Sequence, residues 1–187
     1  MNFELFHTDD IRVKYCDGTR RDIQRALDAC REERRPYLIT TPLTSNLSPL
    51  TSILVPVSML EEDVYKAEIC TYLARKTGAH LILLRARDYG SKAKQNTQRI
   101  ITHIQTIAER TGEEISYEVQ EAKRDSFSFH KDFHSTEWKY DLLLLTASRE
   151  YGLDDWLFGP PELYAIRKSA VPVMLVNPRA DLFSLCD

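Results

Sequence analysis

The chain has 187 residues, 43% of them hydrophobic, and mixes 25 basic with 28 acidic residues for a formal net charge of -3. That length buries the core of about one domain, and the interspersed charges supply no single-signed field, so nucleic acid is not expected as a partner. Met1 to Glu4 shows neither a basic start nor an apolar signal core, and no apolar run approaches the ~20 residues that cross a bilayer, so no membrane contact and a cytoplasmic location are expected.

The N-terminal 51 residues read as a strand-helix-strand element. IRVKY at 11–15 alternates like a strand and is closed by Asp17-Gly18. Thr19 with Asp22 three residues on has the form of a capping box, and Ile23, Ala26, Leu27 and Cys30 make a helical stripe to about residue 34. YLITT at 37–41 is a second strand, and residues 44–50 read as a linker. Two origins are open for this element: the relic of a first tandem domain, or an added unit that extends a sheet or covers its edge.

From Ile53 onward, short apolar runs alternate with helical segments, the pattern of βα units on a parallel sheet. ILVPV (53–57) is followed by a helix over about 61–76 with Val64, Ala67, Cys70, Leu73 and Ala74 on one face, stopped at Gly78. HLILLRA (80–86) leads to a second helix carrying Ile100, Ile104, Ile107 and Ala108, stopped at Gly112, and ISYEV (115–119) is the third strand. Phe129 and Phe133 share a helical face in the segment that follows. LLLL (142–145) is the fourth strand, Pro160 and Pro161 open a helix to Lys168, and VPVMLV (171–176) is the fifth. The cysteines at 16, 30, 70 and 186 form no C-x-x-C pair, and Cys30 and Cys70 lie on apolar stripes, so reduced structural thiols are expected.

ILVPV, the TGAHLILL phrase ending at Leu84, YDLLLLT at 140–146 and FGPPELYAIRKSAVPVMLV at 158–176 together resemble a universal stress protein domain, over residues 52–178 with a tail at 179–187. The resemblance implies a three-layer α/β sandwich of the Rossmann-like, adenine nucleotide alpha hydrolase-like type. It implies five parallel strands in the order 3-2-1-4-5, with the N-terminal α/β element added. It also implies a homodimer built on the fifth strand, taken to be an edge.

In that order, ligands bind where strands one and four diverge at their carboxyl ends. The implied nucleotide crevice comprises Val57, Ser58, Ala86, Thr146, Ser148, Arg149 and Gly159. Relatives that hold ATP use an aspartate after the first strand and a Gly-x-x-Gly-x9-Gly-Ser/Thr loop after the fourth, whose backbone N–H groups approach phosphate. Here Ser58 replaces the aspartate, Thr146 and Arg149 replace two glycines, and Pro160 replaces the hydroxyl residue; Gly159 alone survives. The loop reads as degenerate and the chain as a non-enzymatic stress-response protein without a cofactor. Two other readings stay open: a module holding ATP, AMP or another small anion, with Arg149 on the phosphate, and a nucleotide phosphohydrolase.

Three further features have plain readings. His130, Asp132 and His134 have metal-ligand spacing without further ligands and read as a polar face. Ser148 lacks a nucleophile elbow and reads as a loop hydroxyl. Tyr151, Trp156, Leu157 and Phe158 form an apolar loop that either marks an interface or folds into the crevice.

Overall fold

Apolar runs from both ends of the chain meet in one sheet. The computed structural model describes residues 11–33, 35–44, 49–134, 139–147 and 160–177. In chain order its elements are β1 (Arg12–Tyr15), α1 (Arg20–Glu33), β2 (Tyr37–Thr40), β3 (Ser52–Val57) and a 3-10 turn (Glu61–Tyr65) that runs into α2 (Lys66–Thr77). There follow β4 (His80–Arg85), α3 (Lys92–Thr111), β5 (Tyr117–Glu121), a short 3-10 turn (Phe129–Lys131), β6 (Leu142–Thr146), α4 (Pro161–Lys168) and β7 (Val173–Val176). No helix among the described residues is long and apolar enough to cross a membrane.

The strands lie in the order β1-β2-β7-β6-β3-β4-β5. Within it, β5-β4-β3-β6-β7 reproduces the expected 3-2-1-4-5 arrangement, parallel throughout. Side chains alternate between two cores as the two-residue period requires. Ile53, Val55, Leu81, Leu83, Leu142 and Leu144 face α2 and α3, whereas Leu54, Leu84, Leu143 and Leu145 face the layer holding α1 and α4. Gly78 and Gly112 end α2 and α3 with φ of 72° and 68°, a left-handed turn that a residue with a Cβ adopts only at a cost.

The fifth strand is not an edge. β2 pairs with β7 antiparallel, Leu38 opposite Met174, and β1 pairs parallel with β2. The strand-helix-strand β1-α1-β2 thus adjoins β6-α4-β7 through one antiparallel seam, each pair of strands being parallel within itself. Ile23, Ala26 and Leu27 of α1 join Leu163, Ala165 and Ile166 of α4 in one core cluster. Asn177 seals the junction, its Nδ2 donating to the Cys30 carbonyl at 2.9 Å. The edge that the family resemblance implies for a partner is thus filled from within the chain, because Tyr37, Leu38 and Ile39 are apolar enough to be buried on both faces of a sheet. Among the described residues, strands β1 and β5 are the edges.

Two local departures have simple causes. β5 begins at Tyr117, two residues after the expected start, since Ile115 is buried before the ladder begins and the edge strand itself is largely exposed. Phe129 and Phe133 sit on a single turn rather than a helix and pack edge-to-face, centroids 5.0 Å apart at 82°.

Candidate functional site

The site begins with a proline in the middle of a buried strand. The Val57 carbonyl accepts the Ala86 N–H on the β4 side, so its neighbour Pro56 turns its backbone toward β6, where it has no N–H to give. The β3 and β6 ladder accordingly stops after two registered pairs, Ile53 with Leu142 and Leu54 with Leu143. Beyond them the two strands part toward their carboxyl ends, which opens the crevice.

At the amino end, Asp141 stitches the same strands together. Its Oδ2 accepts the Thr51 and Ser52 N–H groups at 2.9 and 3.0 Å and the Thr51 hydroxyl at 2.6 Å. Burial raises the Asp141 pKa, but these hydrogen bonds outweigh it and hold the carboxyl below the ordinary value.

At the open end, the chain leaves β3 and places Asp63 in the gap. Asp63 Oδ2 accepts the Ser58 N–H at 2.6 Å and the Ser58 hydroxyl at 2.5 Å. Its Oδ1 accepts Lys66 Nζ at 2.6 Å and the Thr146 hydroxyl at 3.2 Å. Lys66 also donates to the Pro56 carbonyl, the acceptor left over where the ladder ended. Both partners are buried, Lys66 at 2% and Asp63 at 6% exposure. One carboxylate thus ties the ends of β3 and β6 through Ser58 and Thr146, and one ammonium occupies the bottom of the gap.

Next to this knot is a cavity of about 100 Å³. Ser58, Asp63, Lys66, His130, Thr146 and Glu162 supply its polar wall, and Phe129, Phe133, Leu145 and Ala165 its apolar one. Ser126 secures the rim by accepting the Met59 N–H at 3.0 Å. His130 and His134 flank the Tyr164 ring, at centroid distances of 5.4 and 6.3 Å. Burial depresses the pKa of both imidazoles. Asp132, between them in sequence, accepts the Arg124 side chain and the Lys123 and Arg124 N–H groups, so its oxygens are committed to the loop.

Of the residues expected in the crevice, Ser58 and Thr146 meet on Asp63. Val57 is fully buried in the core facing α2 and α3. Ala86 is held on the β4 side and lines a separate cleft with Arg85, Arg87 and Lys94. Ser148, Arg149, Gly159 and the apolar cluster at 151–158 lie outside the described residues. Asp63, Lys66, His130 and Glu162 were not singled out for this crevice by sequence. Pro56 was the signal: a proline inside an apolar run argues against an unbroken central strand and asks what takes its carbonyl.

No protein-family model matches the chain, and no curated protein sequence matches it. Solved structures do match. A universal stress protein from Archaeoglobus fulgidus superposes with a TM-score of 0.65 at 16% identity, over 92% of this chain and 62% of that one. A putative universal stress protein from Pseudomonas aeruginosa gives 0.53 at 15% identity, over 90% of this chain and 63% of that one. A universal stress protein solved in complex with cAMP gives 0.54 at 17% identity, with 71% of this chain covering 100% of that one. The chain therefore spans under two thirds of the Archaeoglobus and Pseudomonas proteins. Likeness at these identities concerns architecture, and in architecture the chain has the universal stress protein fold that its sequence resembles.

Proposed function

We propose that the chain is a non-enzymatic, stress-response regulatory protein of the universal stress type, in which an internal ion pair takes the place of a nucleotide between β3 and β6. Asp63 carries this reading. Each of its oxygens already accepts two hydrogen bonds, and its carboxylate stands where an approaching phosphate would meet negative charge. The glycines that would bring backbone close to phosphate are Thr146 and Arg149 here. On this reading Ser148, Arg149 and Gly159 contact no phosphate, no cofactor is needed, and the protein works in the cytoplasm. Homodimerisation on this reading uses an outer edge: β1 with exposed Val13 and Tyr15, or β5 with Val119.

The test is to purify the full chain without added nucleotide, search the denatured sample for bound nucleotide by mass spectrometry, and melt the protein with magnesium ATP. No copurified nucleotide and no rise in Tm are expected. A ligand at a hundred times its Kd adds about 2.7 kcal/mol, so a copurified adenine nucleotide or a clear rise would overturn the reading.

A second reading, a module for an adenine nucleotide or other anion, draws on the cavity beside Lys66. It predicts that cAMP raises the Tm of the native chain and does nothing for Lys66→Met.

A further inference from the structure

We propose that the two outer strands are complementary edges, β1 of one copy adding antiparallel to β5 of the next, so that copies of the chain associate head to tail through one continued sheet. The inference rests on the reading that self-association uses an outer edge, and it names which edges meet.

Backbone geometry supplies the first ground. The Arg12 and Cys16 N–H groups donate inward to the Pro36 and Thr40 carbonyls, so strand alternation turns the N–H and C=O groups of Val13 and Tyr15 outward. On the far side, the Ser116 carbonyl accepts the Leu81 N–H and the Ala122 N–H donates to the Arg85 carbonyl, which turns those of Tyr117 and Val119 outward. Among the described residues each of the two strands has one neighbour in the sheet. β1 runs with β2 and against all the other strands, so a copy that continues the sheet presents β1 antiparallel to β5.

Side chains supply the second. With Val13 set opposite Val119, Tyr15 falls opposite Tyr117, Lys14 opposite Glu118 and Arg12 opposite Gln120. Val13 lies beside Leu38 and Val119 beside Leu83, both in the core facing α2 and α3, so the valines and tyrosines share that face of the continued sheet. Lys14 and Glu118, beside Ile39 and Ile82, share the other. Val13, Tyr15 and Val119 are exposed, and apolar pairs and opposite charges directly across an antiparallel ladder stabilise it. A slip of two residues would set Val13 against Glu121 and lose the pairing of Lys14 with Glu118.

Charge selects the partner. β1 carries Arg12 and Lys14, and β5 carries Glu118 and Glu121. Arg12 has Glu33 at 3.7 Å and Glu121 has Arg85 at 2.8 Å within the chain. Lys14 and Glu118 have no ion pair among the described residues, and Glu118 accepts the neighbouring Gln120 amide. Pairing β1 with a second β1 about a two-fold axis opposes Lys14 to Lys14 or Arg12, and pairing β5 with a second β5 offers Glu118 no cation. Edges this short make a small, weak contact, and because the two surfaces differ the contact repeats instead of closing on itself.

Sedimentation velocity of the full chain over a concentration series should show a mean mass that rises past twice the chain mass, an effect reduced by salt. Lys14→Glu and Glu118→Lys each set like charges opposite one another and should each lower the association constant about tenfold. An equal mixture of the two variants should recover it, since each variant's β1 then faces the other's β5 with opposite charge. Val119→Pro removes an outward N–H and spares the ladder with β4, so it should stop association in a chain that circular dichroism shows to be folded. A chain that stays monomeric at millimolar concentration would overturn both the proposal and the outer-edge reading. A dimer that grows no further, weakening by one charge swap alone, or a mixture no more associated than its parts would overturn the cross-pairing and leave one edge paired with itself.

Discussion

Two seams in the sheet are built in opposite ways. Between β2 and β7 the strands stay registered over three pairs, from Tyr37 with Leu175 to Ile39 with Val173, and all six side chains are buried. Between β3 and β6 only two pairs are registered before Pro56 ends the ladder and Asp63, Ser58, Thr146 and Lys66 fill the gap. The first seam is closed by shape and the second by charge. An apolar seam can be replaced by many sequences of similar volume, whereas a buried ion pair is sensitive to the loss of either partner. That difference marks the second seam as the place where the chain has given up regularity for a site.

The largest effect should come from polar substitution in the apolar seam. Val173→Asp with Met174→Asp places two carboxylates on both faces of a fully paired strand, so the doubly substituted chain should fail to fold as judged by circular dichroism. A folded, merely dissociated species would mean that β7 is an outer edge after all. Next comes the knot. Asp63→Ala strands Lys66 without its counter-ion and should lower stability by about 3–5 kcal/mol in urea unfolding. A loss below about 1 kcal/mol would show that the pair is solvated and the seam open.

The smallest effect is on pH. Burial depresses His130 and His134 below an ordinary value of 6.5, so as pH falls through that value the unfolded chain binds protons there more readily than the folded chain does. Stability is therefore full above about 6.5 and declines as pH falls below it toward the folded pKa values. His103, depressed by burial on α3, acts in the same direction. Urea midpoints at pH 7.5 and 5.5 should differ in the native chain and converge in a variant with His130→Gln and His134→Gln, apart from the His103 share.

Much of the apolar seam was legible one strand at a time. YLITT and VPVMLV both read as strands, and the stripe of Ile23, Ala26, Leu27 and Cys30 located α1. Their pairing was not legible, because periodicity shows which faces of a strand are buried and not which neighbour buries them. The polar seam was the reverse. The topology pointed to the carboxyl ends of β3 and β6, and Ser58 and Thr146 do meet there. Yet Asp63 and Lys66, three apart and flanked by Glu61 and Glu62, look in sequence like a solvated ion pair at a helix start. Only the gap left by Pro56 makes them buried, and that gap is a property of the sheet.

Isothermal titration of the full chain with magnesium ATP tests the central claim most directly. If the Asp63 and Lys66 pair closes the crevice, no saturable heat should appear at millimolar nucleotide, in the native chain or in Thr146→Val. Saturable binding, weakened by Thr146→Val and matched by nucleotide contacts at Ser58 or Lys66 in NMR, would show that the crevice between β3 and β6 is an open nucleotide site and contradict the account.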